Sequence, residues 1–501
     1  MIETLLIILI ISSPVFLLLK KSGYIYLFSF CIQLIMSAIT FIFVYNFLNG
    51  DTMLFFSEFN AGNLGVLMLS TIVFVSNTAL LYSYTFMDQE YRNESITLKK
   101  LQLFYILTYL FIASMILVTI SGNLALSWLG IELSTLSSAF LVGYYTKKTS
   151  LEAAWKYFII NTIGVTVALL GILFLVFATA KNMPGETSLS FAELLKNAAS
   201  MNPQMVKIAF VLLLVGFGTK VGLVPMHTWL PDAHSKAVTP VSGILSSILL
   251  PTALLIILKV KSIVDVTLGS SNFTSSLLIV FGVMSVAMAG FMILIQQNYK
   301  RLLAYSSIEH MGIMAILFAL NTPLAIMFAC YHYVFHALIK SSLFFLSGNI
   351  YMVYHSTKIA KVKAVLKRIP MTGFIFLAMA FAITGIPPFG IFTTKLGMLE
   401  QIVGLISGKA AINLFGLSIN PVIGTIIFII LLLSLVLISI GFVMAVMRLL
   451  LKRENEHVEK VADNFWGNMV ILVSIAVLML VSFDMIPFVK DLIMNFVTNR
   501  I

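Results

Sequence analysis

Three lysines stand inside long apolar stretches, many residues from any polar loop: Lys220, Lys340 and Lys395. An ammonium in hydrocarbon costs at least a few kcal/mol, so intramembrane ionisable residues usually face a bundle interior and mark an ion or proton path. Two of the three lie near proline breaks, in GFGTKVGLVP (216 to 225) and TGIPPFGIFTTK (384 to 395). Their apolar surroundings also contain carboxylates and imidazoles. Glu132 sits in LALSWLGIELSTLSS, where Ser127, Ser134, Thr135 and Ser137 are available to hydrogen-bond it. A lone carboxylate there needs a cation or a proton, and Lys220 is the natural candidate. Burial pushes a lysine toward its neutral form and a nearby carboxylate pushes it back. Moving that partner would switch the lysine between loaded and unloaded, which a fixed ion pair cannot do.

His332, His336 and Lys340 are spaced i, i+4, i+8, which lines them along one helical face at about 6 Å per step. Neutral imidazole both donates and accepts, so such a stripe can pass protons by way of water. Structural hydrogen bonding and a metal site are the alternatives; no glutamate follows in an HExxH arrangement and no further ligand is placed, so no metal is expected. Glu309 and His310 are adjacent and project about 100° apart, toward different neighbours. Glu400, five residues beyond Lys395, is a weaker candidate for that lysine's partner.

These residues need elements that hold them inside a membrane. With 60% hydrophobic and 10% charged residues and a mean hydropathy of +1.04 over 501 residues, the chain reads as a polytopic membrane protein rather than a soluble domain. The net charge of +11 is scattered among short loops, as a topology signal would be and a nucleic-acid surface would not. Cys31 and Cys330 have no companion at metal or disulfide spacing and read as ordinary buried thiols. Glu3 precedes the first apolar run and Lys20 and Lys21 follow it, the reverse of a cleavable signal, so the run reads as a first span with its N-terminus outside.

Apolar stretches of spanning length recur at 2–19, 25–48, 63–86, 101–120, 123–145, 153–180, 207–224, 238–258, 273–295, 302–320, 323–348, 371–406 (interrupted), 421–447 and 467–487. The fold class is therefore all-α with about fourteen transmembrane helices, helices seven and twelve being broken. An even number puts both termini on one face. Of the 31 Lys and Arg residues, 20 then fall on one side, eight on the other, and three are the buried lysines. The positive-inside bias assigns the rich side to the cytoplasm and both termini to the outer face.

The two breaks are alike in composition: Gly222 and Pro225 beside Lys220, then Gly385, Pro387 and Pro388 beside Lys395. A shift of roughly 165 to 185 residues lays spans four to eight over nine to thirteen, the pattern of a repeated transporter-like half. Each break frees backbone groups and suggests a hydrated cavity. The chain divides accordingly into helices one to three (1–98), a first five-helix repeat (99–262), a second (263–450), and a last helix with the C-terminus (451–501).

FGTKVGLVPMHTWLPDAH (217 to 234), KRLLAYSSIEHMG (300 to 312), HALIKSSLFF (336 to 345) and GIPPFGIFTTK together resemble the antiporter-like proton-pumping subunits shared by respiratory complex I, Mrp-type sodium/proton antiporters and membrane-bound group 4 nickel-iron hydrogenases. SSIEHMG and LEAAWKYFIINTIG (151 to 164) are similar to the hydrogenase branch, the component F type of hydrogenase-4 in particular. The resemblance implies two inverted repeats and a polar axis at mid-membrane. It implies a carboxylate-lysine pair in Glu132 and Lys220, linkers in His336 and Lys340, and a terminal residue in Lys395. Many relatives carry a lysine or histidine in the eighth span where this chain has Pro251, so Ser246, Ser247 and Thr252, or Glu309 and His310, must bridge the gap.

The resemblance makes the expected function proton translocation within a multi-subunit hydrogenase-like or complex I-like oxidoreductase. The alternative is an Mrp-type cation/proton antiporter without redox partners; a non-pumping scaffold would leave the buried charges unexplained. No nucleotide fingerprint, phosphate loop or paired-cysteine motif is present, so no cofactor is expected in this chain, and iron-sulfur, nickel-iron or quinone-reducing chemistry would belong to partner subunits. The basic segment 356 to 368 is a possible dock for a peripheral partner. A clear carboxylate-carbonyl cluster for sodium is not seen. Each proton moved against 100 mV requires about 2.3 kcal/mol, which a change of about two units in a lysine pKa would match.

Overall fold

A computed structural model describes residues 2–50, 59–180, 189–407, 413–414, 417–418, 421–451 and 460–499. Lys452 and Arg453, counted above on the basic side, lie outside the described residues. Apart from the short helices Phe191–Lys196 and Val365–Arg368, the helices are α1 (Ile2–Val15, continued as a 3-10 turn to Leu18), α2 (Ser22–Leu48), α3 (Gly62–Arg92), α4 (Leu98–Ile120), α5 (Leu124–Val142) and α6 (Lys148–Ala180). A broken helix follows, α7a (Pro203–Val221) and α7b (Leu230–Lys236), then α8 (Thr239–Leu268), α9 (Asn272–Ile295), α10 (Tyr299–Leu320) and α11 (Pro323–Tyr354). The second broken helix is α12a (Pro370–Thr384) and α12b (Gly390–Ile406); α13 (Pro421–Leu451), α14 (Phe465–Ser482) and α15 (Pro487–Asn499) complete the chain. Two-residue strands, Asn413–Leu414 and Leu417–Ser418, pair antiparallel between α12b and α13.

The protein is an all-α polytopic membrane protein. Among the described residues twelve helices are long and apolar enough to cross a membrane, and Ile2–Leu18 and Pro370–Thr384 are shorter apolar helices. Polar caps mark where many of them start. Asn123, Asn202, Asn298, Thr322 and Asn464 each accept from backbone N–H groups of the first turn, satisfying donors that hydrocarbon could not. The helices sort by burial. The apolar windows of α8 and α10 are wholly buried, whereas α2, α6, α13 and α14 turn most of theirs outward. Cys31 lies on the outward side of α2 and is exposed, unlike Cys330, because a lipid-facing rim is as apolar as a core.

Both breaks pivot on a left-handed glycine. Gly222 has φ 80° and Gly385 φ 84°, and each break contains a cis X-Pro bond, Val224-Pro225 and Pro387-Pro388. Several of the backbone groups at the breaks meet protein donors and acceptors. Trp229 Nε1 donates to the Thr219 carbonyl at 2.8 Å and the Val224 N–H to Ser285 Oγ at 3.0 Å. At the second break Lys395 Nζ donates to the Thr384 carbonyl at 3.1 Å. The two lysines are not placed alike. Lys220 ends α7a, before its break, and Lys395 lies in the second turn of α12b, after its own.

The basic segment after α11 folds onto the chain itself. Tyr299 N–H donates to the Thr357 carbonyl, Ile359 N–H to Gln297, and Val461 N–H to Arg368. The Gly222 geometry makes a prediction about stability. Alanine there would take a backbone conformation costing about 1–3 kcal/mol for a side-chain-bearing residue, with its Cβ 2.5 Å from Leu230 Cδ1. Gly222→Ala is expected to lower the thermal midpoint of the detergent-solubilised protein, while Gly404→Ala, which meets nothing within 4 Å, leaves it unchanged or slightly raised.

Candidate functional site

The most buried helices carry the polar residues. Lys220, His234, His310, His332, His336 and Lys340 are completely enclosed, and Glu309 nearly so. Burying them is tolerable only with hydrogen-bond partners, and the structure supplies these from residues far apart in sequence.

In the first half Lys220 reaches α5 and α6. Its ammonium donates to Thr135 Oγ1 at 2.9 Å and to the Tyr157 hydroxyl at 2.7 Å, and lies 4.8 Å from the centre of the Tyr157 ring. Ser138 Oγ joins the same phenol at 2.6 Å. Glu132 is half-buried on α5 and forms no ion pair with Lys220 among the described residues; its Oε2 has no hydrogen-bond partner. The hydroxyls expected around it point elsewhere. Ser127, Ser134 and Ser137 return their hydrogen bonds to carbonyls of their own helix, and Thr135 turns to Lys220. A short hydroxyl on a helix finds the carbonyl a turn back more readily than a neighbour's carboxylate.

In the second half the adjacent pair on α10 faces two ways. Glu309 Oε1 pairs with Lys395 Nζ at 2.7 Å, joining α10 to α12b. Glu400 is exposed and is not that partner. His310 Nδ1 lies 2.8 Å from His332 Nε2 on α11, and its Nε2 lies 4.0 Å from Glu309 Oε2. His332 Nδ1 returns to α12b at Thr394 Oγ1, 2.7 Å away. The His310 and His336 rings are 5.1 Å apart between centres. Lys340 donates to the Leu303 carbonyl at 2.7 Å and to Ser306 Oγ, both on α10.

Between the halves stands Pro251. It has no N–H to give, so carbonyls a turn earlier lose their donor, and residues 245–249 of α8 open into a π-turn. The Ser246 carbonyl freed there faces His336 Nε2 at 3.2 Å, and Ser246 Oγ meets Ser307 Oγ at 2.6 Å. Ser246 thus ties α8 to α10 and α11. Ser247 and Thr252 bond back to Gly243 and Ile248 of their own helix and take no part.

His234 was missed by the sequence reading although it ends the quoted PDAH motif. It lies on α7b between the Trp229 indole, 6.3 Å away, and the Phe344 ring, 5.5 Å away, and neither ring nitrogen has a hydrogen-bond partner among the described residues. Its signal was a histidine at the buried end of a broken helix, within electrostatic reach of Lys340. Tyr157, which holds Lys220, carried no signal beyond its place in KYFIINTIG. Among the described residues no group of three His, Cys, Asp or Glu could hold a metal ion.

Residues 121–412 match the family described as NADH:quinone oxidoreductase/Mrp antiporter, transmembrane region. The chain is 35% identical to the hydrogenase-4 component F homolog of Methylacidiphilum infernorum (isolate V4), over 69% of this chain and 72% of that protein. It is 31% identical to hydrogenase-4 component B of Escherichia coli (strain K12), over 66% of this chain, and spans about half that protein's length, 48%. Among solved structures it resembles a subunit of an archaeal membrane-bound sulfane sulfur reductase with a TM-score of 0.84, at 20% identity over 99% of this chain and 96% of the other. It resembles a chain of the Mrp complex from Dietzia sp. DQ12-45-1b with a TM-score of 0.80, at 15% identity over 99% and 97%. Both likenesses establish the fold.

The Glu309-Lys395 pair generates a test of the site's energetics. Removing one member of a buried pair strands the other charge, at about 3–5 kcal/mol, and removing both does not. Glu309→Gln and Lys395→Met are each expected to reduce the yield of folded protein in size-exclusion profiles, with the double variant recovering part of the loss; additive losses would contradict the pairing.

Proposed function

Because the chain belongs to the NADH:quinone oxidoreductase/Mrp antiporter transmembrane family, we propose that it moves protons across the cell membrane as the antiporter-like subunit of a multi-subunit redox complex of hydrogenase or complex I type. The observation that carries this reading is the enclosed polar line from Lys395 and Glu309 through His310, His332 and His336 to Ser246 and Lys340, with Lys220 enclosed separately against Thr135 and Tyr157. Two relatives above 30% identity are hydrogenase components, which favours a redox complex over a free-standing antiporter. The cofactors would lie in partner subunits, docked in the membrane and at its surface.

In this proposal the chain's own residues do the proton work. Lys220 has neutral hydrogen-bond partners, so it can release a proton without leaving a bare carboxylate in contact. Glu132, half-exposed on α5 with an unpartnered oxygen, is placed to feel a charge shift in a neighbouring subunit. Lys395 differs: its proton is held by Glu309, and it lets go when that carboxylate accepts a proton from His310. The helix breaks let Lys220 and Lys395 sit where the backbone bends. We assign α1 to α14 as fourteen crossings, α4–α8 and α9–α13 as inverted repeats, and both termini to the outer face.

Two experiments test the proposal. Mild-detergent purification is expected to bring down iron-sulfur and nickel-iron or quinone-reducing subunits; small membrane partners without redox centres would favour the Mrp alternative. In proteoliposomes of the intact complex, Lys220→Ala and Glu132→Gln should abolish redox-driven proton transport while redox turnover partly persists. Wild-type pumping in both variants would remove the relay assignment.

A further inference from the structure

A further lysine is buried just before the span that hydropathy places at 302–320. Lys300 lies in the first turn of α10 and is only 4% exposed. That is the positive end of the helix dipole, which disfavours a cation. Its ammonium donates to Thr239 Oγ1 at 2.8 Å and lies 5.6 Å from the centre of the Tyr351 ring. Both partners are neutral, and the ammonium has three hydrogens to give. It forms no ion pair among the described residues. The next residue shows the ordinary alternative: Arg301, partly exposed, pairs with Asp232 at 2.6 Å. Lys300 is thus buried, set against the dipole and held by neutral groups, a combination that stability alone does not call for.

Its surroundings lead in two directions. Toward the face with the basic loops, the carboxylate in electrostatic reach is Glu90, partly exposed near the end of α3, which also feels Lys147 and His355. The neighbouring hydroxyls are Tyr299 and Tyr351, the first donating to carbonyls of Ser347 and Ser356. Toward the interior, Lys340 bonds to α10 at Leu303 and Ser306. Those residues are three and six positions beyond Lys300, a rise of about 4.5 and 9 Å. Thr239, which holds Lys300, heads α8 five residues after His234 and stands against Gly348 of α11, where an added Cβ would come within 2.6 Å of its Cγ2.

We propose that Lys300, with Glu90 outside it, is the port through which protons pass between the basic-loop face and Lys340. This rests on the relay reading of the buried line. Glu90 collects a proton at the surface, Lys300 carries it past the neutral collar of Thr239 and Tyr351, and the unpartnered His234 and the serine-bound Lys340 lie next inward. No bond other than those to the moving proton changes.

The test is redox-driven proton transport by the intact complex in proteoliposomes, followed with a pH-sensitive dye, with assembly and redox turnover measured in parallel. Lys300→Met is expected to slow transport at least tenfold. Lys300→His should recover transport at pH 6 on the basic-loop face and lose it at pH 8, since imidazole ordinarily titrates near 6.5; a lysine that only fills space would show no such dependence. Glu90→Gln should lower the rate several-fold, and it keeps the port testable if Lys300→Met fails to assemble. Lys340→Met is the internal reference. Normal transport in Lys300→Met or, should that variant not assemble, in Glu90→Gln and in Lys300→His at both pH values, with loss in Lys340→Met, would overturn the port and leave the relay standing. Normal transport in Lys340→Met as well would overturn the relay itself.

Discussion

An ammonium group enclosed in a membrane protein must be neutralised, paired, or surrounded by groups that accept its hydrogens, and this constraint organises the molecule. Four of the buried lysines meet it differently. Lys395 has a carboxylate, Lys220 a threonine, a phenol and the face of its ring, Lys340 a backbone carbonyl and a serine, and Lys300 a threonine beside a tyrosine ring. These solutions differ in what remains when the proton leaves. Around Lys220, Lys340 and Lys300 the immediate partners are neutral with or without it; beside Lys395 a carboxylate would be left bare. In the proposed relay, three would serve exchange and one gating. The same requirement explains why α8 and α10 are buried along their apolar lengths while α13 and α14 remain on the rim.

Backbone groups obey a parallel rule, since each one freed inside a bilayer must find a partner. The two breaks use the rule in opposite ways. At the first, an indole takes the freed carbonyl and leaves the lysine's hydrogens for α5 and α6. At the second, the lysine itself takes the carbonyl while also holding Glu309. A shared composition at the breaks therefore supports unlike chemistry. The π-turn before Pro251 is a third case: a residue unable to donate turns its helix's carbonyl into an acceptor for His336.

The spans, their breaks and the buried lysines were legible because hydropathy and proline act locally, and the chain reveals both within a few residues. The i, i+4, i+8 stripe of His332, His336 and Lys340 was legible for the same reason. Partners were not. Glu309 and Lys395 are 86 positions apart, and nothing in either segment names the other. The serines near Glu132 looked like its solvation shell, yet helix geometry gave them nearer carbonyls. Lys300 looked like a loop charge because the helix boundary falls three residues earlier than hydropathy placed it. Cys31 looked buried because a lipid-facing helix is written in the same residues as a core one. Pro251 was visible, but the Ser246 carbonyl that meets His336 beside it depends on a local change of helix type that composition does not encode.

His310 and His332 share one hydrogen bond between ring nitrogens 2.8 Å apart, and two neutral imidazoles so placed can keep only one hydrogen in that gap. The position of that hydrogen is a record of direction. A proton arriving at one ring drives the shared hydrogen toward the other, and the pair then faces the opposite way until both rings turn back. A conductor built on such a joint advances in counted steps, like a ratchet wheel with a single tooth engaged. In the proposed relay, the cadence of this joint would belong to the turning of two rings in a close-packed interior rather than to the hop of the proton.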